Sequence, residues 1–149
     1  MANGKDSAKG HEHGREPGKS WGKKIRDLDQ MSSLGAEELV QAADEMGKYL
    51  AGKPDKSTQL KTSQIRKFLD AVRRIKTDAT RAESYPYRQM SMFLKPQLAY
   101  AAGRNKAVTP LLDMLSPGVD KVSTREDFLT LYKLVESIIA YHKYHGGRD

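Results

Sequence analysis

At 149 residues with 38% hydrophobic content, the chain can bury one proper core but is too short for two comfortable ones. It has no cysteine, which excludes a disulfide framework and a thiolate zinc site, and its net charge of +7 points to an anionic partner. No stretch approaches the roughly 20 apolar residues of a membrane span, and the N-terminus lacks the apolar core of a signal peptide, so a soluble cytoplasmic protein is expected.

The charge is unevenly placed. Lysine plus arginine minus aspartate plus glutamate is +2 over residues 1–31, −3 over 32–50, +9 over 51–106 and −1 over 107–149. The middle third thus carries more than the whole excess, and a localised field of that kind suits a polyanion, whose neutralised phosphates release counterions. A membrane surface fits less well, because the apolar faces of the basic helices are needed for the core.

Residues 1–31 have few apolar positions, and Gly4, Gly10, Gly14, Gly18 and Gly22 recur among charges. Such a segment buries too little to offset its ordering entropy, so a disordered, glycine-rich basic tail is expected ahead of one helical domain over 32–149. Within the tail, Gly14–Ser20 (GREPGKS) superficially resembles a phosphate-binding loop, but it has three residues between its glycines instead of four and no preceding strand. His11-Glu12-His13 is a poor metal site without further ligands. No metal or cofactor is expected.

The rest reads as helix after helix, with no convincing period-two strand. Leu34, Leu39, Ala42, Ala43, Met46 and Leu50 define a first helix over about 34–51, with Glu37 and Glu38 in its first turn and Gly52 and Pro54 stopping it. Residues 53–61 are a polar linker. A second helix starts at Thr62 or Ser63, either of which can cap it, and runs to about Thr80. Pro86 suits the first turn of a third, which Pro96 should kink or split near Leu94–Lys95 and Gly103 should close. A fourth covers about 107–116 and ends at Pro117-Gly118. The fifth begins with a Ser123–Glu126 capping box and ends at Gly146-Gly147. The expected fold class is all-α, a compact bundle of about five helices.

The second helix carries the clearest functional signal. At 100° per residue, Ile65, Phe68, Leu69, Val72 and Ile75 share one side, and Arg66, Lys67, Arg73 and Arg74 share the other, with only Asp70 intruding. Charged exposed faces commonly serve solvation alone. Here the sign is strongly biased, arginine with its phosphate-matching fork predominates, and Arg81, Arg88, Lys95, Arg104 and Lys106 extend the excess. Nothing in the pattern encodes base reading, so sequence-independent backbone contact is expected.

Other candidates are weaker. His142 and His145 would suit a metal-free ribonuclease as base and acid, but His142 also completes an apolar stripe. Tyr85, Tyr87, Tyr100, Tyr141 and Tyr144 can stack on bases, though tyrosines at helix ends more often pack half-buried.

Three blocks, Thr62–Leu69 (TSQIRKFL), Leu94–Arg104 (LKPQLAYAAGR) and Ile138–Gly147 (IIAYHKYHGG), in this order and spacing resemble the small subunit of type III-A (Csm-type) CRISPR effector complexes. The resemblance spans about residues 34–147 and leaves the tail outside. It implies an all-helical subunit that is not itself a nuclease. Several copies would stack as a short filament along the crRNA–target RNA duplex beside the other subunits. Carried over onto these blocks, Gln64, Arg66, Lys67 and Arg104 become RNA-facing candidates, joined by Lys61 at the helix start and by Arg73 and Arg74 from the helical wheel. Ile65, Phe68, Leu69, Leu98 and Tyr100 are assigned to the core, and Tyr141 and His142 to packing of the last helix. The rival is a free-standing helical DNA- or RNA-binding protein.

Overall fold

The structure is a computed structural model in which residues 16–52 and 60–149 are described. Among them the chain is all-α: α1 (Pro17–Arg26), a 3-10 turn at Met31–Ser33, α2 (Ala36–Ala51), α3 (Thr62–Thr80), α4 (Tyr87–Met92), α5 (Leu94–Arg104), a second 3-10 turn at Lys106–Val108, α6 (Thr109–Asp120) and α7 (Arg125–Tyr144). The polar linker expected over 53–61 falls mostly outside the described residues, as do residues 1–15 with His11-Glu12-His13.

α2 and α7 make the most extensive helix pair, and α3 and the first 3-10 turn close over α7. The α2–α7 approach depends on small residues: Ala42 and Ala43 are fully buried, and a Cβ at Gly47 would lie 2.6 Å from the backbone nitrogen of His142. Phe128, Leu131, Leu134, Val135 and Ile138 of α7 are all fully buried, so α7 is the spine of the core.

The N-terminal expectation is corrected for residues 17–26. Residues 17–26 form a helix that packs along α6, with Trp21 6% exposed and Ile25 fully buried. Composition undervalued this segment because its glycines serve packing: Cβ atoms at Gly18 and Gly22 would lie 2.4 Å from the carbonyl oxygen of Pro110 and 2.3 Å from that of Asp113. The second contact has a further cause. Pro117 lies inside α6 and has no N–H to offer the carbonyl four residues back, so Asp113 is left without its helical donor and Gly22 seats its backbone against it. α6 continues through Pro117 to Asp120, where an end at 116 was expected. GREPGKS is in part the start of this packed helix.

Smaller shifts have local causes. The third helix splits at Phe93, so that Pro96 falls in the first turn of α5, where its missing N–H has no intrahelical duty. Gly103 does not end α5; Asn105 does, its Oδ1 accepting from the Ala107 N–H at 3.0 Å. The final capping box lies one residue later than expected, on Thr124 and Asp127. Asp127 is fully buried, accepts backbone N–H bonds from Ser32, Ser123 and Thr124 at 2.9–3.1 Å, and so ties the first 3-10 turn to α7. Burial alone would raise its pKa; those hydrogen bonds prevail and hold it below the usual carboxylate range.

Candidate nucleic-acid interface

α3 runs from Thr62 to Thr80, and its apolar stripe of Ile65, Phe68, Leu69, Val72 and Ile75 is buried. Its start is fixed from elsewhere in the chain. Lys61 occupies the N-cap position, and its N–H donates to Gln64 Oε1 at 2.8 Å, while the Thr62 hydroxyl turns inward to His142 Nδ1 at 3.0 Å. His142 Nε2 meets the Leu60 carbonyl at 2.8 Å, so the neutral ring donates to Leu60 and accepts from Thr62. The Thr62 N–H in turn donates to the carbonyl of Arg148 at 2.6 Å. Burial keeps the His142 pKa below its ordinary value; the Leu60 carbonyl pulls the other way, and Lys143 adds to the depression. With both ring nitrogens engaged in the core, His142 is a bolt holding α3 to α7 and not a general base. His145 pairs instead with Asp44 at 2.6 Å.

From this anchored start the cations project outward: Lys61, Arg66, Lys67, Arg73, Arg74 and Arg104 are exposed, and Gln64 is half-buried. They do not form one face. Gln64, Lys67 and Arg104 come together along a groove of about 840 Å³ between α3 and α5, floored by residues such as Phe68 and Leu98. Arg66 and Arg73 lie on the opposite flank, toward α7 and the C-terminus. There the Arg73 pKa is raised above its ordinary value chiefly by Tyr132, against the opposing effect of burial, with smaller contributions from Asp70, 3.8 Å away, and Glu136. Arg66 helps depress the Asp149 carboxyl, whose main partner is Lys143 at 2.8 Å. Arg74 and Lys67 have no carboxylate partner among the described residues. The wheel treated both flanks as one side because it cannot say which neighbour packs on each.

Two expected contributors to the field work elsewhere. Arg88 Nη1 donates to the carbonyls of Asp120 and Val122 at 3.2 and 3.5 Å, and Lys95 pairs with Asp120 at 2.6 Å, so both clamp the end of α6. Lys76, beyond the residues expected to face RNA, sits 4.7 Å from the ring centroid of Tyr132 and strengthens the α7 flank. Tyr100, expected in the core, is 67% exposed at the groove, with the Arg104 guanidinium 5.9 Å from its ring centroid. Alternation of small and large residues along α5 gave no warning, since Ala99, Ala101 and Ala102 flank it without marking a buried side.

The Csm2 Type III-A family model matches residues 33–148. The chain belongs to that family. A relative described as "CRISPR system Cms protein Csm2", from Streptococcus thermophilus, is 26% identical over 121 residues, covering 80% of this chain and 100% of the relative. Family membership makes the protein a small subunit of a type III-A CRISPR effector, associated with other subunits of the Csm complex. All three blocks that carried the resemblance lie inside the matched residues, whereas α1 lies wholly outside them. No helix among the described residues is long and apolar enough to cross a membrane.

Proposed function

We propose that this Csm2-family subunit is a noncatalytic RNA-binding element of the cytoplasmic effector. It lies along the crRNA–target RNA duplex and contacts phosphates without regard to sequence. The observation that carries this is the set of exposed cations on the two flanks of α3, joined by Arg104 from α5, with Lys67 and Arg74 free of carboxylate partners among the described residues. A subunit used repeatedly along any guide has to read backbone and duplex shape, and arginine and lysine on a rigid helix do that. One copy offers few phosphate contacts, so affinity comes from several copies self-associating in a short filament beside the other subunits.

The test is charge reversal of Arg66, Lys67, Arg73 and Arg74 in the assembled complex. Target-RNA capture falls, by about tenfold or more for several lost phosphate contacts, while helicity and copurification of crRNA and partner subunits persist. Unchanged capture by the assembled variant sinks the proposal. Purification of the native chain alone, tightly bound to DNA or RNA, favours a free-standing binder instead.

A further inference from the structure

The groove between α3 and α5 is more than phosphate contact requires. Phosphates need cations, and Lys67 and Arg104 at the rim supply them; they have no use for an apolar floor of Phe68, Leu98 and neighbouring aliphatics. Nor do they need a tyrosine left 67% exposed beside that floor. At about 840 Å³ the groove is in the range that encloses a small planar ligand. Its polar wall consists of amides. Gln64 has its carbonyl oxygen occupied by the Lys61 N–H at 2.8 Å, which leaves its NH2 to donate, while Gln97 lines the groove with both a donor and an acceptor.

We infer that this groove receives an unpaired nucleobase, stacked on Tyr100, with Lys67 and Arg104 holding the adjoining phosphates. This rests on the RNA-binding function proposed above and extends it from backbone contact to the base. An apolar floor favours the ring faces, the guanidinium over Tyr100 polarises the stacking surface, and an amide wall with donors and acceptors tolerates any of the four bases. A paired base has its faces and edges engaged inside the helix and does not fit. Extruding one costs a few kcal/mol, comparable to what stacking on one tyrosine returns, so the occupant is a base already out of the duplex. The cationic rim also disfavours a neutral apolar segment of a second copy as occupant, leaving an acidic segment as the competing possibility.

The experiment uses the assembled complex and target RNAs carrying 2-aminopurine at one position at a time. With the native chain, an unpaired 2-aminopurine at some positions is quenched more strongly than the same unpaired base in the target RNA free of protein. Tyr100→Ala removes that extra quenching and weakens capture by about tenfold per occupied groove, whereas Tyr100→Phe keeps both. Quenching that is identical in native and Tyr100→Ala complexes, while the α3 charge reversal still abolishes capture, overturns the groove assignment and leaves phosphate binding standing. Capture indifferent to the charge reversal overturns both. Loss of self-association in Tyr100→Ala, measured by light scattering, with RNA capture and quenching intact, assigns the groove to a second copy and also overturns the inference.

Discussion

α1 and α3 are both basic amphipathic helices, yet they direct their cations to different ends. α1 carries Lys19, Lys23, Lys24 and Arg26 on its exposed side and no acid between Pro17 and Arg26. One of these charges is answered within the fold, since Lys24 pairs with Glu38 at 2.8 Å, and Lys19 and Arg26 border a recess that also holds Asp113 and Asp120. Trp21 Nε1 donates to Glu45 at 2.8 Å. α3 has cations of similar density, but Lys67 and Arg74 meet no carboxylate among the described residues. Charge on a helix therefore says little until the opposite surface is known. α1 is a clip fitted to the acidic side of its own fold, whereas α3 directs charge outward.

The comparison breaks first, and most visibly, at Gly22. Gly22→Leu forces a side chain into the Asp113 carbonyl and is expected to cost about 3 kcal/mol, or to lift α1 away altogether. Trp21 is the chain's single tryptophan, so its emission reports α1 alone. A red shift with α2–α7 helicity retained is the expected result. Arg74→Leu on the outer side of α3 changes stability by no more than about 0.5 kcal/mol. Native-like Trp21 emission in Gly22→Leu would refute the close packing of α1 on α6.

How these helices differ was only partly legible in the chain. The limits of α3, the burial of its stripe and the all-α class follow from hydrophobic period and stop signals, which are local. α1 escaped because its favourable terms are not local. A decapeptide with two glycines and four cations has poor helix propensity and one large aromatic, and becomes stable only when α6 presents a backbone shallow enough for glycine to reach. Pro117 is equally illegible, because a proline inside a helical pattern can end the helix or be carried within it, and tertiary packing decides which. At the candidate site, the cation identities were legible and the groove was not. Tyr100 has the composition of a core residue, and only the path of α5 past α3 reveals that it faces out. The flanks of α3 likewise became distinct only once Tyr132 of α7 was seen beside Arg73.

The anchoring of α3 offers a second, smaller effect, one that α1 lacks. The His142 pKa is depressed in the folded protein, so its contribution is fully present above the unfolded value of about 6.5 and is lost as pH falls through the folded value. Stability should therefore decline on the acid side of neutrality as the ring charges against the Thr62 and Leu60 contacts. His142→Gln, neutral throughout, is expected to cost about 1–2 kcal/mol near pH 7 and to flatten that part of the decline. Urea unfolding across a pH series measures both. An unaltered acid limb in the variant would mean that the bolt between α3 and α7 does not titrate as its burial requires.

The smallest stability effects give the sharpest contrast between the two helices. Lys24→Gln removes a solvent-exposed pair with Glu38, a carboxyl held below its usual range first by its hydrogen bond to Lys24 and then by the Gly35 N–H. Exposed pairs contribute little, so the melting temperature should barely move, and RNA capture should not move at all, because that charge is already answered within the fold. The double variant Lys67→Gln with Arg74→Gln should also leave melting almost unchanged, since neither side chain has a carboxylate partner to lose among the described residues. Its effect belongs to the salt dependence of capture: the slope of log affinity against log salt should flatten by about 0.7–0.9 for each phosphate contact removed. Equal slopes for Lys24→Gln and the double variant would show that the cations of α1 and α3 are interchangeable, and that their different surroundings carry no functional meaning. A flatter slope in the double variant alone locates RNA contact in cations that the fold leaves unanswered.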